Sequence, residues 1–73
     1  MTNDERRLLE LLAASLNGTT DALLIAGGFK LDMMVGLVRC GFAMALPERT
    51  FEADKPIDRT RVKITEAGRR ALA

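Results

Sequence analysis

The apolar positions near the start of the chain repeat every three to four residues, which is the period of an α-helix. Those on one face are four leucines, Leu8, Leu9, Leu12 and Leu16. A T-x-x-E capping box from Thr2 to Glu5 precedes them and places acidic side chains where the helix dipole favours negative charge. The pattern predicts a first helix over residues 3–16, which Asn17 and Gly18 end.

A second apolar segment, residues 22–26, reads ALLIA and is apolar on every side. Thr19 or Thr20 can cap this helix through a hydroxyl group. Gly27 and Gly28 then end it. A segment of this kind is either buried on most faces or offers one face to a partner, and the sequence leaves both alternatives open.

Residues 31–42, LDMMVGLVRCGF, predict a third helix closed by a glycine. The apolar stripe expected to face the core consists of Met33, Met34, Leu37 and Val38. The residues expected to point outward are Lys30, Asp32, Val35, Gly36 and Arg39. Gly41 can adopt the left-handed conformation that ends a helix, and Phe42 can fold back as an apolar clamp. Phe29 follows the second helix in the same way.

After the third helix, alternation with a period of two replaces the helical period. Residues 44–47 predict one strand, and residues 59–65 predict a second in which Thr60, Val62 and Ile64 face the core. The opposite face of that second strand carries a basic row, Arg59, Arg61 and Lys63. The polar residues 48–58 predict the tip of a hairpin, and Thr65 can cap a final short helix.

The composition limits the chain to one small domain over residues 1–73. Of these 73 residues 48% are hydrophobic and 29% charged, which suits a single core. The one cysteine, Cys40, excludes an intrachain disulfide and fits a reducing cytosol, so we expect a cytoplasmic protein. We interpret Cys40 as a packing or surface residue, with a redox role as the alternative. The charged start, MTNDERR, and the short apolar runs predict neither a signal peptide nor a membrane span.

The sequence lacks residues that common catalytic sites use. There is no histidine and no tyrosine. Gly27 and Gly28 are not followed by the lysine and hydroxyl group that a phosphate-binding loop needs. One cysteine without histidine is a poor basis for a zinc site. We therefore expect neither an enzyme nor a cofactor or metal site.

Two local motifs suggest a family. The third helix ends in LVRCGF, similar to the L-x-x-x-G-[LF] end of a recognition helix, and residues 62–69, VKITEAGR, resemble the V-x-L-T-x-x-G-R end of the wing in MarR-like regulators. With the order of elements, the chain resembles a winged helix-turn-helix domain. The resemblance implies an α+β, mostly α fold with three helices, a C-terminal β-hairpin wing and a short final helix.

The resemblance also implies contacts to double-stranded DNA from the third helix and the wing. The candidate DNA-binding residues are Lys30, Arg39, Arg49, Arg59, Arg61 and Lys63. The basic row could follow a phosphate backbone, or it could be a solvated face with cross-strand ion pairs, since acidic residues share the hairpin. On the third helix, Asp32 would repel phosphates and Gly36 offers no side chain, so an inert outer face is the alternative to base reading.

Two functions follow from this sequence. The first is a small winged-helix DNA-binding protein, a transcriptional regulator or an accessory to one, that contacts the DNA backbone through the wing and third helix. The alternative is a protein–protein interaction module without DNA binding, whose partner is a second copy or another protein bound at the apolar second helix. The net charge of +1 gives no overall attraction to nucleic acid.

Overall fold

Four helices and three strands form along residues 2–73, the part of the chain that the computed structural model describes. The helices are α1 (Asn3–Ala14), α2 (Asp21–Ala26), α3 (Leu31–Arg39) and α4 (Glu66–Leu72). The strands are β1 (Thr19–Thr20), β2 (Ala43–Glu52) and β3 (Lys55–Ile64).

The three strands form an antiparallel sheet in the order β1-β3-β2. β2 and β3 pair along their whole length, from Ala43 opposite Ile64 to Glu52 opposite Lys55. Ala53 and Asp54 make the turn between them, with φ of 51° and 65°. Positive φ at both residues is the geometry of a type I′ turn, which matches the twist of the flanking strands.

The predicted fold class, a mostly α winged helix-turn-helix domain with a two-stranded wing, is wrong. The residues form four helices and a three-stranded antiparallel sheet, with about 47% helix and 31% strand. Thr19 and Thr20 were expected only to cap a helix, yet their backbones also pair with β3. This is possible because an N-cap residue has an extended backbone, which can hydrogen-bond to a neighbouring strand. The polar residues 48–58 mostly continue the two strands, because a two-residue turn is enough to reverse the chain.

The core lies between the helices and the inner side of the sheet. Its buried residues are Leu8, Leu9, Leu12, Leu24, Met34, Leu37, Ala43 and Val62. Leu16 was expected in this set but is 94% exposed, because α1 ends at Ala14 and the chain turns away at Ser15. Thr2 caps α1 as expected, accepting a hydrogen bond from the Glu5 backbone N–H at 3.1 Å.

The ends of α2 and α3 have the same hydrogen-bonded structure. The N–H of Phe29 donates to the carbonyl of Leu24, and the N–H of Phe42 donates to the carbonyl of Leu37, each at 3.0 Å. The glycine before each phenylalanine has a positive φ, 95° at Gly28 and 79° at Gly41. These are Schellman motifs, and both phenylalanines pack against the core, which confirms the predicted glycine caps and apolar clamps.

The last helix docks tightly against the start of β2. A Cβ atom added to Gly68 would lie 2.2 Å from the carbonyl oxygen of Phe42, so a side chain cannot fit there. Thr65 accepts a hydrogen bond from the Gly68 backbone N–H at 3.1 Å, and its hydroxyl donates to the carbonyl of Gly41. Thr65 therefore caps α4 and ties it to the end of α3.

The molecule is elongated, with extents of 42 × 22 × 20 Å, because the far half of the β2–β3 hairpin extends beyond the helices. Among residues 2–73, the longest helix has 12 residues, and none is long and apolar enough to cross a membrane.

Candidate functional site

A groove of about 350 Å³ lies between α3 and one face of the hairpin. Most of its lining is apolar. The lining residues are Asp21, Leu31, Met34, Val35, Val38, Arg39, Ala45, Thr60 and Val62. We call the hairpin face that carries Ala45 and Val62 the inner face, and the opposite one the outer face.

One wall of the groove is the solvent-facing side of α3. Leu31, Val35 and Val38 stand at i, i+4 and i+7 and are 57%, 42% and 37% exposed. This spacing places them in one stripe along the helix. Met34 and Leu37 point into the core instead. Val35 faces outward as predicted, whereas Val38 was expected in the core and lies at the groove.

The other wall is the inner face of the hairpin, held in place by Asp21 at the start of α2. The Asp21 carboxylate accepts hydrogen bonds from the backbone N–H of Ala22 at 2.8 Å and of Thr60 at 3.4 Å. The second bond continues the pairing of β3 beyond the short β1 strand. It therefore fixes the position of the hairpin relative to α2 at the edge of the groove.

The inner face continues past the groove toward the hairpin tip. Arg49 and Asp58 are direct cross-strand partners there and form an ion pair at 3.0 Å. Phe51, two residues beyond Arg49 on β2, lies on the same face and is 72% exposed. The sequence analysis assigned Phe51 to a polar tip and gave it no role.

The outer face carries the basic row, and one of its cations, Arg61, binds a carboxylate. Arg61 donates to Glu48 through Nε at 2.7 Å and through Nη2 at 3.3 Å. Arg59 is the direct cross-strand partner of Glu48. The hydrogen bond from Arg61 lowers the pKa of Glu48 and raises that of Arg61. The predicted alternative of cross-strand ion pairs is therefore present for Arg61, and for Arg49 on the inner face.

The six candidate DNA-binding residues do not share one surface. Lys30 directly precedes α3 and Arg39 is its last residue, so the length of that helix separates them. The inner face of the hairpin carries Arg49. The outer face carries the other three, Arg59, Arg61 and Lys63. Their role in DNA binding stays a prediction.

The second helix is not buried on most faces, and a partner at this helix stays a prediction. Only Leu24 is buried, while Leu23 is 65% exposed and Ile25 is also exposed. These side chains do not line the groove.

The sequence analysis missed two exposed apolar residues, Leu31 in the groove and Phe51 farther along the inner face of the hairpin. A signal existed for Leu31, because Leu31, Val35 and Val38 follow helical spacing as well as the stripe that was assigned to the core. No comparable signal existed for Phe51, since its face depends on where the hairpin turns. No protein-family model matches this sequence, and neither a curated protein nor a solved structure matches it.

Proposed function

We propose that this chain is a protein–protein interaction module that binds an apolar segment of its partner in the groove between α3 and the hairpin. The observation that carries the proposal is the apolar stripe of Leu31, Val35 and Val38 on the solvent side of α3. A neighbouring stripe of the same helix already supplies the core residues. The exposed parts of this second stripe are therefore available to a partner.

The chemistry of the groove suits a peptide better than a nucleic acid. Protein interfaces centre on apolar and aromatic side chains that fill pockets, with charged residues at the rim. Here Asp21 and Arg39 are the charged residues of the lining, and the remainder is apolar apart from Thr60. A partner helix or strand end that inserts one or two large apolar side chains would remove this surface from water.

The same geometry gives weak support to DNA binding. Base edges in the major groove are read by arginine, lysine, asparagine or glutamine, and the middle of α3 presents Val35 and Gly36 instead. On the hairpin, Arg49 and Arg61 already bind carboxylates, so a phosphate would have to displace those carboxylates from the two arginines. We retain the predicted cytoplasmic location, and a binding rather than an enzymatic role, as parts of this proposal.

A peptide-display selection against the purified protein tests the proposal. We expect binders that carry large apolar side chains, and Val35→Glu should weaken them at least about tenfold because it places a charge in the groove. Leu23→Glu is the matched control, since it adds the same charge to an exposed apolar position outside the groove. Circular dichroism would confirm that both variants are folded.

Two results would contradict the proposal. The first is a set of binders that Leu23→Glu abolishes and Val35→Glu leaves intact, which would place the interaction on α2. The second is an absence of binders, and tight, salt-sensitive binding of labelled duplex DNA in that case would favour the DNA-binding function.

A further inference from the structure

We propose that the groove is filled by Phe51 of a second copy of this chain, in a two-fold dimer in which each hairpin tip occupies the groove of the other copy. This inference rests on the proposed function and names the partner for the same groove. In such an isologous interface, each copy contributes one groove and one tip.

Phe51 has the chemistry of an interface anchor. The two other phenylalanines, Phe29 and Phe42, pack against the core, whereas Phe51 stands in solvent near the end of the hairpin. Burying an aromatic side chain in an apolar pocket is among the most favourable contacts that an interface can make. A groove of about 350 Å³ has room for one such ring.

The spacing along the hairpin makes the arrangement self-complementary. Ala45 at the groove and Phe51 at the tip lie on the same face of β2 and are six residues apart, or about 20 Å at the rise of a strand. When two inner faces meet with their strands antiparallel, a two-fold axis at the midpoint places each Phe51 over the Ala45 of the other copy. One rotation therefore satisfies both contacts.

The charges near that axis are also complementary. Arg49 and Asp58 lie on the inner face within about one residue of the midpoint between the groove and the tip. Each copy therefore brings one cation and one anion to the axis. Because each Arg49–Asp58 pair is neutral, the two pairs can meet without net repulsion. Arg49 of each copy can then pair with Asp58 of the other copy.

Sedimentation equilibrium of the parent chain and its variants tests the dimer. We expect a concentration-dependent dimer whose dissociation constant rises at least about tenfold in Phe51→Ser and in Val35→Glu, because a homodimer of either variant loses both contacts. The matched controls are Leu16→Ser and Leu23→Glu, which change exposed leucines away from the groove and tip. Both controls should associate as the parent does.

Mixing the two defective variants gives the sharper test. The Val35→Glu chain keeps an intact tip and the Phe51→Ser chain keeps an intact groove, so a mixed dimer retains one of the two contacts. We expect the equimolar mixture to associate more tightly than either variant alone. Because all variants change exposed positions, circular dichroism should show parent-like folding.

Three results would overturn the dimer. They are a parent that stays monomeric at high concentration, a dimer that Phe51→Ser does not weaken, and a mixture no better than its components. A monomeric parent that still binds selected peptides in a Val35-dependent way would remove the dimer and leave the proposed function standing. Failure of peptide binding as well would remove both.

Discussion

Arg61 and Glu48 are joined by two hydrogen bonds across the outer face of the hairpin, from Nε at 2.7 Å and from Nη2 at 3.3 Å. The remaining guanidinium nitrogen of Arg61 donates to the carbonyl oxygens of Asn17 at 3.2 Å and Gly18 at 3.4 Å. One side chain therefore connects β3, β2 and the loop that follows α1. Arg61 is a structural residue as well as a member of the basic row.

This pair makes stability depend on pH at the acidic end. The hydrogen bond from Arg61 holds the pKa of Glu48 below its ordinary value. The unfolded chain then binds more protons than the native chain as the pH falls. The contribution of Glu48 is therefore complete above the ordinary glutamate pKa of about 4.3 and is lost as the pH falls below it.

Thermal melts of the parent and of Glu48→Gln between pH 7 and pH 3 would measure this effect. We expect the parent to melt at the higher temperature near neutral pH and the difference to shrink in acid. Glu52→Gln is the control, because Glu52 faces solvent near the hairpin tip. A difference in Tm that does not change with pH would contradict the assignment.

Two helical glycines should respond in opposite ways to alanine. Gly36 on α3 has open space where a Cβ would be, so Gly36→Ala should raise the free energy of unfolding by about 0.5–1 kcal/mol through helix propensity. At Gly68 the added Cβ would meet the Phe42 carbonyl, so Gly68→Ala should lower it by about 1–3 kcal/mol. Urea denaturation measures both, and a Gly68→Ala variant at least as stable as the parent would refute the described packing of α4.

Thr65 should be more important for stability than a surface threonine. Its hydroxyl group accepts from the Gly68 N–H and donates to the Gly41 carbonyl. Thr65→Val keeps the shape and removes both bonds, and we expect a loss of about 1–2 kcal/mol in the free energy of unfolding. Thr50→Val, on the far half of the hairpin, is the control, with an expected change within about 0.5 kcal/mol. Equal effects at the two positions would contradict the double role of Thr65.

Local features of the fold could be read from the sequence because they depend on neighbouring residues. The Thr2 cap and the glycine caps at Gly28 and Gly41 were predicted, since each uses hydrogen bonds within one turn of helix. The third strand was missed because β1 is formed by pairing with residues more than forty positions away. Two residues carry no periodic signal for a strand.

The candidate site was predicted less well, because it depends on faces and partners. Alternation placed Arg61 and Lys63 on the face opposite Val62, but it could not show that Glu48 binds Arg61. Val38 was assigned to the core because two overlapping apolar stripes run along the third helix, and only packing decides which is buried. Because Met34 and Leu37 are the buried pair, Leu31, Val35 and Val38 are left to line the groove.

The last prediction separates the structural role of the basic row from a role in binding DNA. Arg61→Ala removes the bonds to Glu48 and to the loop carbonyls, so we expect a clearly lower Tm. Lys63→Ala removes a cation from the same face without breaking a hydrogen bond or ion pair described for residues 2–73, so we expect a Tm close to that of the parent. Titration of labelled duplex DNA at two salt concentrations gives the second measurement.

If the chain is an interaction module, the parent and the folded Lys63→Ala variant should both bind DNA weakly at low salt, with indistinguishable affinities. If instead the basic row follows a phosphate backbone, the parent should bind tightly, and Lys63→Ala should lower the slope of log affinity against log salt by about one. Arg39→Ala would then report on the third helix, because loss of a guanine contact relaxes sequence preference rather than the salt slope. Lys63→Ala is expected to stay folded, so a weaker affinity for DNA in that variant could not be ascribed to unfolding. Such a result would support DNA binding as the function of this chain.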